Sequence, residues 1–248
     1  MSTETLTIGK ALNLGLRRAM EDDAKVVLMG EDIGRLGGVF RITDGLQKDF
    51  GEDRVVDTPL AEAGILGTAV GLAMRGYRPV CEIQFDGFVF PAYNQIVTQV
   101  AKIHARSQGK VPMPIVIRIP MGGGIGAVEH HSESPESYFA HTAGLKVVAV
   151  SNPVDAYFMI QQAVACDDPV VESVRRTGHL VVVSEAPSES SITSEVAARV
   201  QQEAFYSLEA PVLRVGAFDT PYPPSRIEED FLPDLDRVLD AVDRSMGY

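Results

Sequence analysis

Short runs of β-branched and apolar residues alternate in this chain with longer segments of helical period, and no other feature restricts its fold as strongly. Ile8, Ala11, Leu12, Leu16, Ala19 and Met20 fall on one face of a helix over 8–21, and a strand follows over 25–29. The pattern then predicts a helix over 61–74, a strand over 78–85, a helix over 91–106 and strands over 114–119 and 145–150. Asn152 and Pro153 supply a cap and a first-turn residue for a helix reaching about 166, and 169–171 begins a further strand. Strands separated by helices in this order imply an α/β fold with a doubly wound parallel sheet. After residue 171 the pattern restarts on a smaller scale, with strands over 179–184 and 211–215 and helices over 191–205 and 228–244. Two strands are too few to bury a core unaided, so this second α/β unit needs packing partners.

Composition removes several classes of function. Lys and Arg number 22 against 34 Asp and Glu, giving a formal charge of −12, which disfavours nucleic acid and anionic membrane surfaces. The longest apolar runs fall well short of the roughly 20 residues of a membrane-spanning helix. The polar start 1–7, which includes Glu4, lacks the pattern of a secretory signal. Cys81 and Cys166 match no metal or redox spacing and read as buried thiols of a reducing compartment, bacterial cytoplasm or organelle matrix.

Three segments carry residues suited to chemistry. Asp57-Thr-Pro-Leu-Ala-Glu-Ala-Gly64 sets Glu62 at the head of a helix that also contains Gly67 and Gly71. Each interior glycine costs about 0.5–1 kcal/mol relative to alanine. Tight packing inside the chain, a subunit contact or a binding site would each offset that cost. A first-turn acid is favoured by the helix dipole alone. In an apolar pocket, the same carboxyl would instead be positioned to share a proton with a ligand nitrogen. The second segment, Gly122-Gly-Gly-Ile-Gly-Ala127, matches the dinucleotide fingerprint only formally, because no helix opens there and no acidic residue ends a following strand. It reads as a glycine-rich active-site loop. The third segment, Glu129-His-His-Ser-Glu133, has metal-binding residue types, but adjacent histidines seldom point at one ion, so no metal site is expected. Either it is a solvated polar loop or one of its histidines moves protons.

Gly30-Glu-Asp-Ile-Gly34, 57–64, Glu82-Ile-Gln-Phe85, Phe90-Pro-Ala-Tyr-Asn-Gln95, His131-Ser-Glu-Ser-Pro-Glu136 and Gly144-Leu-Lys-Val-Val148 occur in this order over nearly the whole chain. Together they resemble the beta subunits of the pyruvate and branched-chain 2-oxo acid dehydrogenases, and the wording of 82–85 and 131–136 is nearest the branched-chain type. The resemblance implies a pyrimidine-binding domain of thiamine-diphosphate enzymes over 1–171 and a shortened transketolase-type C-terminal domain over 172–248. It makes Glu62 the carboxyl that bonds the pyrimidine ring nitrogen and favours the imino tautomer. Phe88 then packs on the pyrimidine, Leu60 and Gln84 line the pocket, and Glu31 joins the polar network beside Glu62. His131 falls at the active-site channel, where it stabilises the intermediate or assists acyl transfer to lipoamide.

The chain lacks the Gly-Asp-Gly…Asn pattern by which such enzymes hold magnesium and diphosphate. The resemblance therefore calls for an alpha subunit that supplies the Mg site in a heterotetramer. It further implies a 2-oxo acid substrate, a lipoyl domain of the acyltransferase core as partner, and room for a structural monovalent cation. The chain departs from the family where 172–178 follows Val171 directly, as though a block were missing, and where Ser184 and the serine-rich 188–194 replace a histidine and a glycine-rich loop. Another transketolase-type enzyme subunit, or a non-catalytic scaffold or regulatory beta-like subunit, would share part of this pattern.

Overall fold

The computed structural model describes residues 5–165 and 179–248, which fall into two compact units. One comprises residues up to 120 together with 142–167, and the other 121–141 together with 168–248. Cys166, the expected strand over 169–171 and the junction at 171–178 lie outside the described residues.

The first unit is built on a four-stranded parallel sheet ordered β2-β1-β3-β4, with β1 at Val26–Gly30, β2 at Val55–Asp57, β3 at Arg78–Glu82 and β4 at Val116–Arg118. β1 is buried throughout, as expected of a strand covered on both faces. Helix α1 (Ile8–Asp22) starts where the Thr7 hydroxyl accepts from the Lys10 amide at 3.2 Å. It buries Leu16, Ala19 and Met20 with Val26, Leu28, Val55 and Val80 in the main core. Gly15 permits the close approach of α6 (Pro153–Ala165), since a Cβ there would meet Ile160 Cγ2 at 2.4 Å. The Asn152 side chain caps α6 by accepting from the Asp155 amide at 2.9 Å. The short helix α2 (Leu46–Phe50) and strand β2 complete one flank, and neither was marked by the sequence pattern.

Several expectations need correction. The helix expected over 91–106 is divided into a 3₁₀ segment Asp86–Ala92, a π-helical segment Gln95–Val100 and a short α4 (Ile103–Arg106). Residues 145–150 form no strand: Val147 and Val148 are exposed, and no ladder among the described residues includes them. On α3 (Glu62–Met74) the glycines are not packed inside the chain, for Gly64, Gly67 and Gly71 are exposed and a Cβ at Gly67 or Gly71 would meet nothing within 4 Å.

The second unit contains α5 (Glu136–Ala140), α7 (Ile192–Ala204), α8 (Glu228–Phe231), α9 (Leu235–Met246) and a two-stranded parallel sheet of β5 (Val181–Pro187) and β6 (Leu213–Ala217). Val200 and Ala204 form one small cluster with Leu180, Val196, Leu208 and Val212 around them; Ala217, Tyr222 and Phe231 form another. The single helix expected over 228–244 is two, because Pro233 interrupts it and Asp234 caps the second by accepting from the Arg237 amide at 2.7 Å. No helix among the described residues is long and apolar enough to cross a membrane.

Candidate active site

Parallel strands deliver their following loops to one edge of the sheet, and in open α/β sheets that carboxyl edge is where ligands bind. Glu31 and Asp32 follow β1, Thr58 to Glu62 follow β2, and Ile83 to Phe88 follow β3. The loops are held in place by backbone bonds: the Thr58 amide donates to Gly30 O at 2.9 Å and the Gly34 amide to Asp57 Oδ1 at 2.6 Å. Gly30 presses on β3, where a Cβ would meet Glu82 O at 2.8 Å. Beneath them, Arg118 of β4 makes a buried ion pair with Glu82, its register partner on β3.

Glu62 opens α3 and is buried, and so is Glu31. Burial is the main reason that the Glu31 carboxyl is held above the usual carboxylate range. The neighbouring Glu62 and Asp32 charges add to the shift, while a hydrogen bond from the Ala61 amide opposes it. Glu31 Oε1 is buried and accepts no bond. Glu31 thus holds its proton more readily than a free carboxyl does, beside a second buried acid. Gln84 Nε2 donates to Asp32 Oδ2 at 3.3 Å. Phe40, Phe85 and Phe88 form an edge-to-face series, with centroid separations of 5.7 and 6.0 Å. Leu60 presents 76% of its surface to solvent, a bare apolar side chain two residues before Glu62. Structure thus brings Glu62, Glu31, Gln84, Phe88 and Leu60 to the loops of one sheet edge.

His131 belongs to the second unit. It ends a 3₁₀ turn Glu129–His131, its ring lies 4.2 Å from that of His130, and its amide donates to Val128 O at 3.0 Å. Of the other loop residues, Glu136 is buried and its carboxyl is pushed up chiefly by desolvation. Sequence reasoning passed over Glu185 and Glu228, whose carboxylates accept from the glycine loop: Gly123 N–H to Glu185 Oε2 at 2.7 Å and Gly124 N–H to Glu228 Oε1 at 2.6 Å. Their separations of 62 and 104 residues left no local signal to find them by. Cys81, by contrast, is an inert core thiol that burial pushes up to about 12.

The transketolase type of this two-part α/β protein follows from its two domain matches. The transketolase pyrimidine-binding domain matches residues 4–177 and the transketolase C-terminal domain matches 163–238. A split-gene transketolase, described as an inactive β4 tetramer, superposes with a TM-score of 0.75 at 15% identity, over 98% of this chain and 99% of its own, a likeness of fold.

More specific are the similar sequences. The pyruvate dehydrogenase E1 component subunit beta of Leifsonia xyli is 50% identical over 99% of this chain and 96% of its own length. The 3-methyl-2-oxobutanoate dehydrogenase subunit beta of Mycobacterium tuberculosis is 42% identical over 98% and 92%. The chain belongs to the beta-subunit family of the thiamine-diphosphate-dependent 2-oxo acid dehydrogenases. The Leifsonia alignment runs over 323 positions against 248 residues here, so a sizeable block of that relative has no counterpart in this chain.

Proposed function

We propose that this chain supplies the pyrimidine side of the active site of a 2-oxo acid dehydrogenase, acting on pyruvate or a branched-chain 2-oxo acid, with Glu62 as its central catalytic residue. The observation that carries this reading is the buried Glu62–Glu31 pair at the carboxyl edge of the parallel sheet. Bound there, thiamine diphosphate supplies the carbanion chemistry that side chains lack. The residues present suit its pyrimidine: Glu62 to hold a proton at a ring nitrogen, Phe88 as an apolar wall, Leu60 and Gln84 along the rim, and Glu31 to hold the proton balance of Glu62. Glu31 Oε1, buried without a bond, is a further polar position open to the ring or its amino group.

Diphosphate and magnesium are held by the alpha subunit, because this sequence has no Gly-Asp-Gly segment followed by Asn. Two alpha and two beta chains assemble, and the exposed Gly64, Gly67 and Gly71 face of α3 is small enough for a partner helix to approach closely. His131 serves the later half of the reaction, in which the acyl group passes to the lipoyl domain of the acyltransferase core.

The test is Glu62→Gln, reconstituted with the cognate alpha chain. Gln keeps size and hydrogen bonding but cannot exchange a proton with the ring, so exchange of the cofactor's thiazolium C2 proton and decarboxylation should fall by about 10⁴-fold, the upper end for acid–base groups, with assembly intact. C2 exchange at the wild-type rate would refute this assignment. In His131→Ala, the larger defect should be in reductive acylation of the lipoyl domain, measured beside decarboxylation with an artificial electron acceptor.

A further inference from the structure

The glycine loop 122–126 is not merely near the C-terminal residues of its unit but gripped by them. Glu228 Oε1 accepts from the Gly124 amide at 2.6 Å and from the Tyr222 hydroxyl at 2.5 Å, and the Gly126 amide adds a third bond to the same carboxylate. Gly123 lies so tightly against this pair that a Cβ would fall 2.0 Å from the Tyr222 oxygen and 3.0 Å from Glu228 Oε1. At the far end of the loop, Ser132 donates to Ala127 O at 2.6 Å, and its hydroxyl lies within hydrogen-bond reach of Tyr222. Glu228, Tyr222 and Ser132 are all buried. Phe231 packs edge-to-face on Tyr222 at 5.0 Å and fixes its ring.

Such an arrangement exceeds what a surface loop needs. Gly122, Gly124 and Gly126 hold φ of +88°, +91° and +70°, a conformation open to glycine and with little intrinsic stiffness. A loop of this kind drifts unless something outside it fixes its amides. Glu228 does that for the Gly124 and Gly126 amides, beside Glu185 on the Gly123 amide, and the peptide so fixed runs directly into the turn that carries His131. We propose that Glu228, seated by Tyr222, is a positioning residue for His131: it holds the glycine loop so that the histidine is presented in one orientation. The inference rests on the role given above to His131, but the loop's dependence on Glu228 can be measured without it.

Two measurements separate these claims. In the full-length chain, amide hydrogen exchange of the segment 121–131 should speed up about tenfold or more in Glu228→Ala, as expected when charge-assisted bonds from loop amides to a buried carboxylate are lost. Exchange in β1 and β3 should stay unchanged. Gly123→Ala, which attacks the same contact from the loop side, should reproduce the effect, and Glu228→Gln, which retains an acceptor oxygen, should recover most of the protection. In the enzyme reconstituted with its alpha subunit, the ratio of lipoyl-domain acylation to decarboxylation should fall about tenfold in Glu228→Ala and be restored in Glu228→Gln. Unchanged loop exchange in Glu228→Ala overturns the proposal, and so does a loosened loop with an unaltered ratio. If His131→Ala itself leaves the ratio unaltered, the failure lies with the role assigned to His131, while the loop exchange still decides whether Glu228 holds the loop.

Discussion

Glu31 in the first unit and Glu228 in the second are equally buried, each 7% exposed, yet their proton affinities move in opposite directions. Glu31 is raised by desolvation and by Glu62 and Asp32, with one backbone amide opposing. Glu228 is lowered, first by the Tyr222 hydroxyl and then by the Gly124 amide, and these outweigh its own desolvation. Desolvation is the largest influence on Glu31 and the donors aimed at it are the largest on Glu228, so the balance of the two sets the direction. A carboxyl given enough donors is a fastener, whereas one left short beside another acid is ready to exchange protons with a ligand.

The Glu82–Arg118 pair tests whether donor supply rather than the choice of unit governs, because it is a satisfied carboxylate in the same unit as Glu31. Arg118→Met should strand a buried charge and cost about 3–5 kcal/mol of folding stability, read from urea unfolding of the full chain. A loss below about 1 kcal/mol, the scale of a surface ion pair, would break the comparison. Next in size is Tyr222→Phe, which removes one donor from Glu228 while keeping the ring that packs on Phe231. A loss of about 1–3 kcal/mol is expected for a buried acceptor left short of a partner.

Much of the first unit was legible in the sequence. β1, α1 and α6 follow hydrophobic period and capping residues, α3 was marked by its run of Ala, Gly and Leu, and Glu62 drew notice at the head of that helix but took its role from the family resemblance. What stayed hidden depended on distance along the chain. The Glu228 clamp joins residues 104 positions apart, and no local pattern marks it. Hydrophobic runs also misled: 145–150 reads as a strand, yet it takes no strand conformation and leaves Val147 and Val148 exposed. Pro233 was a breaker inside an otherwise helical period, and the backbone obeyed the missing N–H rather than the period.

The pH dependence of stability gives a gentler test, since the two carboxyls should contribute with opposite signs. Glu228 binds its proton less tightly folded than unfolded. Its stabilising contribution is complete above the ordinary carboxylate value of 4.5 and is lost as pH falls through its depressed folded value. Glu31 binds its proton more tightly when folded, so its contribution is complete below 4.5 and is lost as pH rises through its elevated folded value. Midpoints of urea unfolding measured between acid and neutral pH should therefore fall less steeply on acidification in Glu228→Gln than in wild type. In Glu31→Gln they should fall more steeply. Equal slopes in the two variants would mean that the donors counted here do not control the charge.

The smallest expected effect is the gain in stability from Glu31→Gln at neutral pH, and it bears most directly on function. The change removes a carboxyl whose ionised form is opposed by desolvation and by Glu62 and Asp32, and it substitutes a neutral group that can donate to one of them. A gain on the order of 1 kcal/mol is the scale of a single buried polar change. The same substitution takes away the group proposed to balance the proton on Glu62, so C2 exchange in the reconstituted enzyme should fall, though by less than in Glu62→Gln. Stability and exchange would then move in opposite directions, as expected where a site keeps a costly carboxyl for its chemistry. Urea unfolding and C2 exchange on one preparation of Glu31→Gln are sufficient to check this. A variant that is both less stable and unaltered in exchange would show Glu31 to be a structural acid like Glu228, and the difference between the two units would vanish.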